Sequence, residues 1–246
     1  MKPKVLFFAR DYQSKLFPLL KSNKYDSVYV VLNKQEKKNV IKNGGEIIYC
    51  LEEEFDDLEL AQIEVPYLKF SYGCDRNYRG LNLKERDLIL KKTVAFWRNI
   101  FNSQDFKLVV NETVAIEASE VLAIEAKLKN VRYISWMSFP KKNTFYWQAD
   151  PFHNSVGEKL RLIVPEAKHI VEANEFIEKI SEGLQKPFYL SKKSVRYSFI
   201  HFLKNVLTII REIKLSLRLP KLRRLVAYGT ETKFSLWKIK LFFMSL

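Results

Sequence analysis

Two cysteines, three histidines, seven glycines and eight prolines are all that 246 residues contain of these types, and each shortage removes a class of protein. Cys50 and Cys74 are too few for a disulfide scaffold and form no CxxC spacing for zinc, so a reduced cytoplasmic protein is expected. His153, His169 and His201 stand in dissimilar contexts without an HxxxH or His–carboxylate spacing, so no metal is expected. Scarce glycine and proline argue against collagenous, repeat-rich or long disordered chains. There is no GxGxxG loop and no Walker A motif, which argues against NAD and ATP enzymes. Ser138 lacks the flanking glycines of a nucleophile elbow.

Long apolar runs are missing too. Val5-Leu6-Phe7-Phe8 stops at Ala9, before Arg10-Asp11, which is too short for a signal-peptide core and suits a first buried strand. No stretch approaches the ~20 residues needed to span a bilayer, so the chain is not expected to cross one.

What is present is charge, unevenly placed. Residues 186–246 hold 14 Lys/Arg against only Glu212 and Glu231, whereas the first 185 hold 28 basic and 26 acidic side chains. Of the net +14, +12 therefore belongs to a C-terminal segment that is also rich in Phe, Leu and Ile. Pro187 marks the expected boundary between a 1–186 domain and a 187–246 tail.

Within the first domain, Val5–Phe8, Val28–Leu32, Ile47–Cys50, Leu108–Val110 and Val131–Trp136 are continuous apolar runs of strand length. Such runs fit strands buried on both faces of a parallel sheet. Helical stretches are expected at 11–21, 33–43, 113–129 and, most clearly, 83–102. There Asn82 and Glu85 form a capping box, and Leu90, Val94, Trp97 and Phe101 make one stripe. Residues 141–157 read as loop, and 158–184 as helix with a break at Pro165. The alternation defines an α/β class: a doubly wound, Rossmann-like parallel sheet, with right-handed crossovers giving the order 3-2-1-4-5.

In such a sheet the ligand crevice opens where the winding reverses, at the carboxyl ends of strands one and four. Arg10, Asp11, Glu112 and Thr113 are thereby nominated. Glu112 is a candidate general base toward a hydroxyl, with Asp11 its rival; Arg10 is a candidate phosphate contact. Each carboxylate has a structural alternative: Glu112 in the first turn of helix 113–129 capped by Thr113, and Asp11 as a helix N-cap. A second cluster, Asp75-Arg76-Asn77-Tyr78-Arg79, offers Arg forks for phosphate and Tyr for sugar faces.

Asp75-Arg76-Asn77-Tyr78-Arg79-Gly80-Leu81, then a helix with Ala95-Phe96-Trp97, then Asn111-Glu112-Thr113-Val114-Ala115, resembles bacterial capsular and surface-polysaccharide biosynthesis proteins. Phe145-Tyr146-Trp147-Gln148-Ala149-Asp150-Pro151 is similar to that family's aromatic segment. The resemblance spans roughly residues 3–190. It implies a GT-B glycosyltransferase with no cofactor beyond a nucleotide-sugar donor, whose N-terminal domain faces a saccharide or lipid-linked acceptor. It implies acceptor or phosphate contacts at Arg10, Asp75, Arg76, Tyr78, Arg79 and Thr113. Nothing after residue 190 reads as a second α/β domain. The expectation is therefore an acceptor-side half completed by another domain or chain, a non-catalytic module paired with a nucleotide-sugar-binding chain, or a sugar-nucleotide-modifying enzyme.

In the tail, Phe199, Phe202, Ile209 and their neighbours recur at three- and four-residue steps, with Lys204, Arg211, Lys214 and Arg218 on other faces. That pattern suits a helix lying on anionic headgroups at the inner face of the membrane. The alternatives are packing on its own domain and, less suited to charge interleaved with aliphatics, nucleic acid.

Overall fold

The structure, a computed structural model, describes residues 2–63, 82–112, 114, 116–138, 145–149 and 155–183, with 203, 206, 207 and 210. Strands β1 (Lys4–Phe8), β2 (Asp26–Val31), β3 (Ile47–Cys50), β4 (Phe106–Glu112), β5 (Arg132–Ser138) and β6 (Phe145–Gln148) form one sheet in the order β3-β2-β1-β4-β5-β6. β1 pairs in parallel with β2 (Leu6 opposite Val28) and with β4 (Leu6 opposite Val109), and β2 in parallel with β3. The 3-2-1-4-5 order read from the sequence is present. The sixth strand is antiparallel to β5, pairing Trp136 with Trp147. Residues 145–148 were expected to be loop; their exposure alternates along a four-residue edge strand, and no buried apolar run signals it.

Side-chain alternation sorts the sheet's two faces. Leu6, Phe8, Val28, Val30 and Val109 join a single buried cluster with helices α4 (Leu83–Ser103) and α5 (Glu117–Leu128). Its centre is Trp97, fully buried, edge-on to Phe8 at 5.3 Å and donating its indole N–H to the Ala118 carbonyl at 2.9 Å. That hydrogen bond gives the polar edge of a buried ring its partner and ties α4 to α5. On the opposite face Phe7 packs against Phe17 at 5.4 Å and Tyr29 at 5.7 Å.

The helices begin and end where the chemistry directs. In α4 the reciprocal Asn82–Glu85 box is present, with Glu85 N–H on Asn82 Oδ1 and Asn82 N–H on Glu85 Oε2. Helix α2 (Lys34–Lys42) has the same box between Asn33 and Glu36. It stops at Gly44, whose φ of +85° suits a residue without Cβ, and the Gly44 and Gly45 N–H groups take the orphan carbonyls of Ile41 and Val40.

Two expected helices are shorter, and a third breaks at the expected proline. The 11–21 stretch yields only α1 (Gln13–Leu16) and a 3₁₀ turn over Phe17–Leu19, because Pro18 cannot donate to a continuing ladder. The 113–129 stretch starts at Glu117: Ile116 is extended, and Ser119 Oγ accepts its N–H at 3.2 Å. Residues 155–181 form α6 (Ser155–Arg161) and α7 (Ala167–Ser181), either side of Pro165. A further short helix, α3 (Leu51–Glu54), follows β3.

The chain divides into two compact units, the described residues up to Tyr133 with those of the tail, and those from Ile134 to 183. Every residue placed in the site below belongs to the first unit.

Candidate functional site

β1 and β4 are neighbours that leave the sheet in the same direction, so their carboxyl ends bring residues 10–13 and 111–112 together. The last ladder bond of β1 is Ala9 N–H to the Val30 carbonyl at 2.8 Å, after which the chain turns sharply. Asp11 takes φ of +48°, a left-handed conformation that Asp tolerates better than most non-glycine residues.

A buried carboxyl holds this turn. Glu36 Oε1 accepts the Asp11 N–H at 2.8 Å, while Oε2 accepts the N–H of Leu32 at 2.8 Å and of Asn33 at 3.3 Å. Ser14 Oγ donates to the Asp11 carbonyl and accepts from Asn39 Nδ2 at 2.9 Å, a second tie to α2. Burial pushes the Glu36 carboxyl up to about 7, against the opposing pull of its backbone donors.

Glu112 is the last residue of β4 and the focus of the site. Its Oε2 accepts a hydrogen bond from Gln13 Nε2 and lies 3.6 Å from the Arg10 guanidinium. Its Oε1 accepts from the Tyr12 hydroxyl at 2.7 Å. Gln13 is fully buried and the Arg10 side chain is 9% exposed, whereas the Glu112 side chain is 25% exposed and Tyr12 47%. One carboxylate oxygen is thus held by buried partners and the other by the half-exposed Tyr12. Partial burial, with the hydrogen bond to Glu112 and its negative charge adding, holds the Tyr12 phenol well above its ordinary range, so it remains a donor.

Polar groups on the same two strand ends are left incompletely bonded. Asn111, fully buried, donates Nδ2 to the Tyr133 hydroxyl at 2.9 Å, while Asn111 Oδ1, Gln13 Oε1 and Arg10 Nε have no hydrogen-bond partner among the described residues. Buried polar atoms without partners are uncommon and costly.

Of the residues nominated from sequence, Arg10, Asp11 and Glu112 come together here. Arg10 lies between two carboxylates, Glu112 at 3.6 Å and Asp11 at 3.9 Å, which neutralises much of the charge a free phosphate clamp would need. Asp11 is in the turn itself, directly before the Tyr12 N-cap position. Glu112 ends the strand, not the first turn of a helix, since α5 begins at Glu117. Thr113, Asp75, Arg76, Tyr78 and Arg79 lie outside the described residues. So do Phe199, Phe202, Lys204, Ile209, Arg211, Lys214 and Arg218. Of the tail, Leu203, Val206, Leu207 and Ile210 are described; they are helical, and Leu203, Leu207 and Ile210 expose their apolar side chains.

Tyr12, Gln13, Asn111, Tyr133 and Glu36 were not nominated. Tyr12 and Gln13 follow Arg10-Asp11 directly in the same loop, a signal that was available. Glu36 reaches the site through the capping box of α2, which sequence marks only as a helix start. Among the described residues no group of His, Cys, Asp and Glu is arranged to hold a metal, and no helix is long and apolar enough to cross a membrane.

The fold and site together describe an α/β protein with a mostly parallel sheet and a carboxylate-centred polar cluster at its switch point. No family model matches the chain, and neither a curated protein nor a solved structure does.

Proposed function

We propose that this chain takes part in capsule or surface-polysaccharide synthesis as a glycosyltransferase of GT-B type or as its acceptor-binding half. Glu112 is the general base toward an acceptor hydroxyl. The observation that carries the reading is the Glu112 carboxylate at the carboxyl end of β4, beside β1, with one oxygen anchored by Gln13 and Arg10 and the other bonded to the half-exposed Tyr12 hydroxyl. Transfer to a sugar needs a carboxylate within hydrogen-bond reach of a hydroxyl and groups that hold that carboxylate in place. Arg10 supplies the second requirement. The donor is a nucleotide-sugar bound mainly by another domain or chain, and Asp75, Arg76, Tyr78, Arg79 and Thr113 extend the acceptor surface. The basic, apolar 187–246 segment is a helical tail that holds the protein at the cytoplasmic face of an anionic membrane, where a lipid-linked acceptor would lie.

Two measurements test this. Glu112→Gln introduced into the producing cell should abolish surface polysaccharide at unchanged protein level, and normal polysaccharide would refute the base role. Isothermal titration of the purified chain with UDP-, GDP- and CMP-sugars should give weak or no binding; micromolar affinity would replace the half-enzyme reading with a complete one.

A further inference from the structure

The two oxygens of Glu112 are not equivalent. Oε2 is held by Gln13, fully buried, and by Arg10, nearly so. Among the described residues Oε1 accepts from Tyr12 alone, at 2.7 Å, and Tyr12 is 47% exposed. An O–H donor at that distance from a carboxylate oxygen has the geometry of an acceptor hydroxyl presented to a general base. The phenol therefore occupies a hydroxyl position on the Glu112 oxygen whose described partner is the more exposed.

We propose that Tyr12 is a placeholder for the substrate: its hydroxyl occupies the hydroxyl subsite on Glu112 Oε1, and the site opens when a sugar hydroxyl displaces it. This rests on the reading of Glu112 as the acceptor-side base and adds the regulation and ligand class of that site. The class follows from the surrounding groups. Glu112 Oε1 is a carboxylate acceptor, and the donor it takes is a neutral hydroxyl. A phosphate would bring negative charge against this carboxylate and be repelled by it. A neutral polyol, whose hydroxyls donate, suits it.

Exchange is feasible because the two sides of the carboxylate differ in exposure. A half-exposed side chain changes rotamer rapidly, whereas Gln13 and Arg10 are packed and keep Oε2 in place. The Asp11 turn, fastened to Glu36, keeps the backbone fixed while Tyr12 moves. The raised phenol pKa keeps Tyr12 a proton donor, so it competes with the ligand in kind and takes no proton itself.

The test uses the full chain and its Tyr12→Phe and Glu112→Gln variants. Each is titrated with methyl β-glucoside, methyl β-galactoside and methyl N-acetyl-β-glucosaminide by saturation-transfer NMR. Removing the competing hydroxyl should tighten the bound glycoside by about tenfold, the scale of one hydrogen bond to a charged group, while Glu112→Gln weakens it. Equal or weaker binding by Tyr12→Phe, with binding still lost in Glu112→Gln, overturns the placeholder and leaves the Glu112 reading intact. Binding that is insensitive to both substitutions, or absent from all three proteins, overturns both. Inorganic phosphate serves as the contrasting probe, and tighter binding of phosphate than of every glycoside refutes the polyol assignment. As a second readout, the alkaline absorbance titration assigned to Tyr12, by difference from Tyr12→Phe, should shift toward the ordinary tyrosine range on saturation with glycoside. No shift overturns the displacement.

Discussion

Glu36 sets burial against hydrogen bonding within one side chain, and the outcome is measurable as a pH dependence. Its carboxyl is buried and accepts three backbone N–H bonds, from Asp11, Leu32 and Asn33. Those bonds favour the anion, whereas removal from water and the nearby Asp11 charge favour the acid, and the balance lies near 7 against an ordinary 4.5. A carboxyl whose folded pKa is raised contributes stability that is fully present below its unfolded pKa. That contribution is lost as pH rises through the folded value. The window here is therefore roughly pH 4.5 to 7. At about 1.4 kcal/mol per unit, the loss across it is about 3 kcal/mol, a large share of a typical domain's stability. Other groups titrate over the same range, so the measurement is a difference. Urea unfolding of the wild type and of Glu36→Gln is followed at several pH values between about 5 and about 8. The variant turns one acceptor oxygen into a donor facing backbone N–H groups, and should be less stable at the acid end by about 1–3 kcal/mol. That gap should close, and can reverse, as pH rises, because only the wild type acquires a buried charge. A gap that widens with pH would mean that the three N–H bonds outweigh burial, and the reasoning would be wrong.

Two further outcomes are open to measurement. Trp97→Ala, which empties the centre of the core between Phe8 and α5, should cost about 3–5 kcal/mol by chemical denaturation, and Trp97→Phe about 1–3 kcal/mol, from the smaller ring and the lost hydrogen bond to the Ala118 carbonyl. Deleting residues 187–246 should release the protein from anionic vesicles, and salt should weaken full-length binding without abolishing it, because screening removes the electrostatic part alone; a full-length chain that ignores such vesicles at low salt would show the tail to be a packing element.

The sheet was legible because its central strands are buried from both sides. Leu6 and Phe8 turn toward Trp97 and Phe7 toward Phe17, so the apolar run is unbroken in sequence. β6 was not, because an edge strand of four residues with Phe145 and Trp147 half in solvent carries no such run. Helix α4 announced itself through paired signals, cap and stripe, whereas the α5 start was misplaced by four residues because its first turn is fastened by Ser119, an inconspicuous residue. The site divides in the same way. Glu112 and Arg10 followed from topology, a property of the whole sheet. Tyr12, Gln13 and Tyr133 depend on side-chain directions at strand ends, which spacing does not encode. Glu36 lies in a different helix, and its role emerges only once β2 and β1 are side by side.

The Tyr12–Glu112 contact joins residues 100 positions apart, and β1 and β4 are neighbours separated by two other strands in the chain. Pairings this distant are entropically expensive to close, so they form after the local helices and the β1–β2 crossover. A nascent or partly unfolded chain thus has its capped helices before it has any site. Under the proposed reading of Glu112, ligand binding there would begin only when the fourth strand docks, and it would report the completion of the sheet itself. Hydrogen exchange should then show the β4 amides opening together with loss of the site, while the capped turns of α2 and α4 exchange independently.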